Sequence, residues 1–409
     1  MTGRTEELEQ WMDRVASSEW KWYAKYIPAN DTYAKRNVHQ GGPYIGKDLL
    51  RSAFPDLTRR AEREKNPDAH LAANVASHQL LQDVRLVWYN TRRIEKRANG
   101  RDEARLTNWG GMDHPLVAED ATGSLVVFAF HQPGANKDAD GIELWITESV
   151  AEEDLILEAI GPVDPGHGVL FAPSAGLIGH VAAATPCTLR DDELLPEWRN
   201  VLPTGEAIVD MVLARLGGRR TLRVDDRLTK RLACEYELFL SIENHVVLPR
   251  VKEGFASVGE FVQFANSVTN RRKSRAGHSL ELQARAIFNE EGVSYSHGPQ
   301  TEGRRKPDFI LPSIEHYRNK AWPTKKLRML AAKTTCKDRW RQILNEAKRI
   351  GEKHLLTVQE GVSASQYKEM REEGVRLVVP RGLHEKYPDS MRGELITFEA
   401  FIGEARALV

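Results

Sequence analysis

The hydrophobic pattern of the chain changes near its middle, and that change constrains the fold more than any single motif. Before Pro186 the apolar runs are short and β-like. Residues 84–91 (VRLVWYNT), 125–131 (LVVFAFH) and 142–147 (IELWIT) are rich in Val, Ile and aromatics. After Pro203 helical and strand patterns alternate. Between them lies PCTLRDDELLPEWRNVLP, with three prolines and an acidic cluster, which has the composition of an inter-domain linker. One core cannot serve both patterns, so the reading is residues 1–185 as a mixed β domain, 186–204 as a linker and 205–409 as a second domain. The length, 409 residues, allows two or three domains at roughly 150 residues each.

In the first domain, polar loops at 30–44 and 91–105 are punctuated by Gly and Asn and sit on the β scaffold. In the second, residues 206–216 and 228–244 are helical by periodicity. Ser279 reads as the cap of a helix in which Leu280, Ala284, Ile287 and Phe288 share one face and which Gly292 stops. Strands at 308–311 and 327–334, a helix at 337–350, a strand at 354–359, a helix at 365–373 and a strand at 376–379 follow. This order predicts an α/β domain around a central sheet.

Composition excludes several classes. The chain is 41% hydrophobic and 28% charged, enough apolar surface to build cores. Its 58 basic and 58 acidic residues cancel, which rules out a uniformly basic nucleic-acid coat but not a local basic surface. Three scattered cysteines (Cys187, Cys234, Cys336) do not make a disulfide framework or a zinc site, and a reduced, cytoplasmic setting is expected. The first residues, MTGRTEELEQWMDR, are too polar for a signal peptide. The stretch 165–189 lacks Asp, Glu, Lys and Arg, but Pro173, Gly176, Gly179 and Pro186 break it, so it reads as strand, turn and linker rather than as a membrane span.

The chemistry should lie in the second domain. In a strand over 327–333, Leu327, Met329 and Ala331 point one way and Lys333 falls in phase with them. Lys333 either surfaces at the strand end or is aimed into a cleft. Asp308, after Pro307, opens the neighbouring strand. A carboxylate and a lysine so placed can hold Mg²⁺ and a nucleophilic water at a phosphodiester. The segment KTTCKDRWRQILNEAKR follows. Thr335 and Asp338 fit a variant capping box, and Trp340, Ile343, Leu344 and Ala347 make a buried stripe. Arg339, Gln342 and Glu346 lie opposite. Glu346 is either an exposed partner of Arg349 or the second metal carboxylate. Asp338 is either a cap or, with Lys337 and Arg339, a reader of G·C pairs, since Lys and Arg match guanine O6/N7 and a carboxylate accepts from cytosine N4. Upstream, NRRKSR carries Arg271, Arg272, Lys273 and Arg275, a solvated face or a DNA contact. Glu281, read as first-turn, is either favoured there by the helix dipole or joins the metal site.

These residues carry a resemblance. NSVTNRRKSRAGHSLEL, KPDFILPS, LRMLAAKTTCKDRWRQILNEAKRI and HLLTVQEGVSASQYKEMREEGVRLVVP resemble the EcoRII-type restriction endonucleases (type IIE, CCWGG-recognising), as do ANDT at 29–32, HQGGPYI at 39–45 and WGG at 109–111. The resemblance covers nearly the whole chain, most densely its second half. It implies a C-terminal restriction-endonuclease fold with a mixed sheet, in which Asp308 and Glu346 bind Mg²⁺, Lys333 is the catalytic lysine and Glu281 assists. The position two before Lys333 is Ala331, so the second carboxylate comes from the following helix. Lys337, Asp338 and Arg339 fall where the family reads its outer G·C pairs. The resemblance further implies cutting of duplex DNA by a homodimer with flipped central bases, for which Tyr236 is a candidate pocket residue or a core tyrosine. No nucleotide cofactor and no membrane are implied. For the first half it implies a DNA-binding pseudobarrel related to plant B3 domains that binds an effector copy of the site and otherwise covers the catalytic cleft. Lys25, His39, Tyr44, Arg92, Arg101, Glu103 and Arg105 fall at effector-contact positions. Asn99 and Ala104 stand where the family has lysines, and His278 replaces a lysine near Glu281.

The expected function is therefore a Mg²⁺-dependent, site-specific type II endonuclease with an autoinhibitory effector domain. A DNA-binding regulator that no longer cuts is the alternative, but it would be expected to have lost one of the acid or lysine positions. A structure-selective nuclease would account for the metal site, not for the separate β domain or the Lys337-Asp338-Arg339 triplet.

Overall fold

The structure, a computed structural model, describes residues 2–33, 42–96, 98–134, 136–161, 163, 165, 168–172, 176–177, 187–190, 193–198, 202–216, 222–337 and 339–409. It forms two compact units. The first comprises Met1–Val181 with Gln359–Lys368 and Glu385–Gly393. The second comprises Ala182–Val358, Glu369–His384 and Glu394–Val409.

The first unit opens with α1 (Thr2–Arg14), β1 (Trp20–Tyr26), β2 (Tyr44–Ile45), α2 (Lys47–Ala53) and α3 (Pro55–Arg60). It continues with β3 (Asp68–Val75), β4 (Leu80–Tyr89), α4 (Thr91–Ile94), β5 (Glu103–Thr107), β6 (Leu125–His131), β7 (Gly141–Ile146), α5 (Val150–Ile160), β8 (Val169–Ala172) and β9 (Gly176–Leu177). Nine strands make one sheet in the order β2-β5-β4-β3-β7-β6-β1-β8-β9, antiparallel except where β3 meets β7. The solid apolar run of β6 has a simple cause: both its faces are covered. Val126, Phe128 and Phe130 join a core inside the curl of the sheet with Leu71, Leu86, Trp88 and Ile142. Leu125, Val127 and Ala129 pack the other way, beneath Leu8 and Trp11 of α1 and Ile156 and Ile160 of α5. A complete capping box, Ser149 with Glu152, starts α5. Each such fully buried aromatic or aliphatic side chain contributes about 2–3 kcal/mol. Strands β1 and β3 and helices α1 and α5 are not in the sequence reading. Trp20–Tyr26 (WKWYAKY) carries two lysines that break an apolar count.

The second unit has α6 (Gly205–Leu216), α7 (Val224–Glu253), α8 (Val258–Glu290), β10 (Ser296–His297), β11 (Phe309–Leu311), α9 (Ile314–Arg318), β12 (Arg328–Ala332), α10 (Trp340–Ile343), β13 (Lys353–Leu356), α11 (Ala364–Glu372, which begins in the first unit), β14 (Val375–Val378) and α12 (Phe398–Arg406). The sheet runs β10-β11-β12-β13-β14, antiparallel through β12 and parallel thereafter. This is the mixed central sheet expected. Leu280, Ala284, Ile287 and Phe288 do share a face of α8, and with Phe398, Phe401 and Ile402 of α12 they cover Phe309, Leu330 and Leu356.

Three expectations are corrected here. Ser279 does not start a helix: α8 is one rod of 33 residues, capped by Ser257, whose side chain accepts from the Glu260 amide. Gly277 and the basic run lie inside it, and glycine's cost of about 1 kcal/mol in a helix is too small to end one that is packed over several turns. The helix placed at 337–350 shrinks to the four residues of α10, and the chain leaves it through Ala347 with φ +45°. Finally, Cys187 and Cys234 form a disulfide, with Cα atoms 5.2 Å apart. They are 47 residues apart in sequence, and folding brings Cys187, Leu189 and Trp198 against α7 in a cluster with Val212 and Leu238. Spacing carries no trace of that. Among the described residues no helix is long and apolar enough to cross a membrane.

Candidate active site

Strand β11 delivers Asp308 at its leading end, and β12, paired with it so that Phe309 faces Leu330, delivers Lys333 just past its own end. The two meet. Asp308 Oδ2 accepts from Lys333 Nζ at 3.1 Å and from the Ala332 amide at 2.8 Å. The Lys333 amide donates to the Leu356 carbonyl of β13 at 2.9 Å, which fixes the backbone from which the ammonium extends. Both side chains are partly open to solvent, at 29% for Lys333 and 16% for Asp308. This favours the cleft reading of Lys333 over a strand-end lysine lost to solvent.

Glu346 sits on the irregular turn after α10, its amide donating to the Ile343 carbonyl at 3.0 Å. Its carboxyl is pushed up from 4.5 to about 7, first by burial and then by the Asp308 carboxylate, while Lys333, Lys353 and Arg305 pull it back. Arg349 is not its partner. That guanidinium is spent on the carbonyls of His316, Tyr317, Asn319 and Trp322. Two carboxylates that repel across one site, beside a lysine, form an all-oxygen donor set that suits a hard divalent cation retaining several waters. Among the described residues no group of three or more His, Cys, Asp or Glu is placed so that it could hold a metal ion, so the protein ligands on offer here are the two carboxylates.

Glu281 projects from the middle of α8, not from a first turn, so the helix dipole does not account for it. Its Oε1 lies 2.5 Å from Nε2 of His297, on β10, whose ring packs 5.4 Å from that of Phe309. His297 is a neighbour that sequence reading missed, since nothing in YSHGP marks it. Glu281 and His297 line a cavity of about 250 Å³ with Arg271, Arg275, His278 and Phe239.

The structure divides the basic run of α8. Arg272 is held bidentate by Glu243 at 2.7 and 2.6 Å. Arg275 is buried, its guanidinium over the rings of Tyr236 and Phe239 at 5.3 and 5.1 Å. Arg271 is half-buried at the cavity and Lys273 is exposed. Lys337 and Arg339 are half-buried at the corner before α10. Asp338, and with it the proposed capping box, lies outside the described residues.

In the first unit, Tyr44, Glu103 and Arg105 come together. Tyr44 pairs across β2–β5 with Arg105, whose guanidinium lies 3.8 Å from the centre of its ring, and the Tyr44 hydroxyl donates to Glu103. Lys25 is buried rather than presented: its ammonium is 2.6 Å from Asp31, which is itself buried. Arg101 lies over Tyr89 at 5.4 Å, and Arg92 Nε donates to the Gly100 carbonyl at 3.1 Å. His39 lies outside the described residues. Ala104 faces the core at 2% exposure, between the outward Glu103 and Arg105, and Asn99 stands in the turn before β5.

Two family models match the chain, the EcoRII C-terminal domain over residues 239–402 and the N-terminal domain of restriction endonuclease EcoRII over residues 16–175. With the Asp308–Lys333 pair on the mixed sheet, that domain pair defines a type II restriction endonuclease, an enzyme that cuts DNA at specific sites. The type II restriction enzyme EcoRII of Escherichia coli is 41% identical over 404 residues, which is 98% of this chain and 98% of that protein. The chain belongs to the EcoRII family. Among solved structures it is similar to metal-depleted Ecl18kI in complex with uncleaved, modified DNA (TM-score 0.43, 19% identity, 51% of this chain and 79% of that one). It is also similar to a complex of the restriction endonuclease PspGI with substrate DNA (0.42, 16%, 54% and 97%). A further match is the B3 domain of the UbaLAI restriction endonuclease with cognate DNA (0.26, 16%, 40% and 96%).

Proposed function

We propose that the chain hydrolyses phosphodiesters of duplex DNA at CCWGG-like sites with Mg²⁺, acts as a cytoplasmic homodimer, and is stimulated by a second copy of the site bound to its N-terminal domain. The domains are taken as 1–185 for effector binding and autoinhibition, 186–204 as linker and 205–409 for catalysis. The observation that carries the reading is the convergence of Asp308, Lys333 and Glu346 at one end of β11 and β12.

Asp308 and Glu346 would hold the Mg²⁺, which when bound polarises the scissile phosphate and lowers the pKa of a coordinated water. Lys333, anchored by Asp308 Oδ2, places its ammonium where negative charge grows on the phosphorane-like transition state. Glu346 must be ionised to act as a ligand, and its raised pKa makes that conditional on pH. Glu281, held by His297, assists from the neighbouring face. Lys337, Asp338 and Arg339 read the outer G·C pairs. Arg271 and Lys273 contact the backbone or bases, whereas Arg272 and Arg275 act from their ion pair and stack. Arg275 over Tyr236 gives a flat cationic–aromatic lining against which a flipped base can stack. Each chain carries one such centre and a duplex has two strands, so a homodimer can cut both strands in a single binding event.

On the effector domain, Glu103 and Arg105 share the outward face of β5, and Tyr44 holds both in place. Lys25 supports that face from below through Asp31. Arg92, Arg101 and His39 complete the effector set. Ala104 faces the core, so its lack of charge removes no outward cation from the Glu103–Arg105 face.

Incubation with Mg²⁺ and a plasmid bearing several CCWGG sites, followed by sequencing of the cut ends, tests the reading. Cuts at CCWGG support it, and faster cutting with added site-bearing oligonucleotide supports the effector role. Cuts elsewhere overturn the target. Specific binding without any cutting overturns the catalytic assignment in favour of a regulator.

A further inference from the structure

Glu346 raises a positional problem. A metal ligand must be held within a few tenths of an ångström, and a ligand on a regular helix inherits that from the helix. Here α10 ends at Ile343, three residues early, and the chain turns through a positive-φ alanine directly after Glu346. Beyond the single-turn bond from its own amide to the Ile343 carbonyl, regular helical hydrogen bonding therefore does not define where this carboxylate points.

The turn is instead tied down from the other side, by the loop that leads into Asp308. Arg305 Nη1 donates to the carbonyl of Asn345, the residue before Glu346, at 2.8 Å. Glu302 Oε2 accepts from the amide of Lys348, two residues after Glu346, at 3.3 Å. The same Glu302 accepts from the hydroxyl of Tyr317 on α9, and that hydroxyl accepts from the Arg349 amide at 3.3 Å. The loop is itself closed by the Thr301 amide on the Arg305 carbonyl at 3.0 Å, with Gly303 at φ +68°. Glu346 is thus bracketed on both sides by contacts from residues three and six positions upstream of Asp308.

We propose that Glu302 and Arg305 are positioning residues for Glu346, replacing the missing helical support and setting its separation from Asp308. This rests on the reading of Glu346 as a metal carboxylate. One rigid loop then places both acids. Asp308 follows it along the chain, and Glu346 is gripped by it across space. Neither Glu302 nor Arg305 needs to touch metal or DNA.

The test is calorimetric titration of the full chain with Mn²⁺, without DNA, alongside cleavage of a CCWGG plasmid. Groups that hold a ligand in place typically change metal affinity by about 10- to 100-fold when removed. Glu302→Ala and Arg305→Met should weaken Mn²⁺ binding by about tenfold or more, with metal-free affinity for duplex DNA unchanged. Glu302→Gln keeps a carbonyl acceptor for the Lys348 amide and should recover part of the loss, which also separates bracing from misfolding. In a Glu346→Ala background the further change Glu302→Ala should add nothing. Wild-type Mn²⁺ binding by both Glu302→Ala and Arg305→Met overturns the proposal, as does an equal loss in the Glu346→Ala background. If Glu346→Ala itself binds Mn²⁺ as the wild type does, the metal-carboxylate reading fails and the brace with it, while wild-type cleavage in the same assay shows whether the nuclease reading stands.

Discussion

Glu346 should trade stability for chemistry, and the trade has a defined pH window. In the folded chain its carboxyl is raised to about 7, by burial first and by Asp308 second. In the unfolded chain it titrates near 4.5. Between those values the unfolded state is ionised and the folded state still holds the proton. Stability contributed by this group is therefore full below about pH 4.5 and is lost as pH rises through 7. A gap of about 2.5 units corresponds to roughly 3 kcal/mol. The side chain is only partly enclosed, so solvent screening reduces this to about 1–2 kcal/mol. Glu346→Gln removes the titration and keeps the shape. In EDTA at pH 8 it should raise the melting temperature of the catalytic domain by roughly 2–8 °C, taking about 2–4 °C per kcal/mol for a domain of that size. At pH 5 it should change little, and cleavage should be lost at either pH. Thermal melts of the two chains at pH 5 and pH 8 decide the matter. Equal shifts at both pH values, or destabilisation at pH 8, would refute the argument that Glu346 is held at a cost for its function.

Other outcomes follow from particular residues. Asp308→Asn should abolish cutting, by about 10³-fold or more given the size of such transition-state terms, yet retain specific binding in a gel-shift assay; loss of both would count against its role. His354, buried on β13, is pushed down to about 3, by burial first and then by Arg328 and Arg376. It stays neutral in the fold and gains a proton on unfolding, so stability should fall as pH drops from 6.5 toward 3, by up to roughly 4–5 kcal/mol. His354→Leu should flatten that slope in acid denaturation curves, and an unchanged slope would place the loss elsewhere. Cys187→Ser opens a link that closes a 47-residue interval, and loop-closure entropy predicts a loss of about 4 kcal/mol. The difference should appear in urea melts run without reductant and vanish with it.

What could be read from the sequence and what could not divides along a physical line. Strands with a covered face, such as Leu125–His131, and the buried face of α8 at Leu280, Ala284, Ile287 and Phe288 announce themselves, because burial of a periodic stripe is a local property of the sequence. Asp308 and Lys333 were legible for the same reason, as polar residues at the ends of apolar strands. The cap placed at Ser279 failed because a good local stop signal competes with packing along the whole helix, and packing wins. The helix expected through Glu346 failed in the opposite sense: its letters favour helix, but the corner is tied to Glu302 and Arg305 across space. His297 beside Glu281, Asp31 beneath Lys25 and the Cys187–Cys234 link are likewise products of chain crossings, which leave no periodic trace. Trp20–Tyr26 escaped because Lys21 and Lys25 interrupt its apolar count, although both ammonium groups find partners, in Ser52 and Asp31.

Helix α8 has a consequence for how such an enzyme can diversify. Arg271, Lys273, Arg275 and Glu281 are all carried by one uninterrupted rod of 33 residues, about 50 Å long at 1.5 Å per residue. Substitution along it is permitted wherever the face is exposed. A single inserted or deleted residue between Arg271 and Glu281 would instead swing the basic side chains by about 100° relative to the acid. That stretch can therefore vary in its letters but not in its length without changing the angle between the basic side chains and the acid, and insertions are accommodated only at the turns at either end.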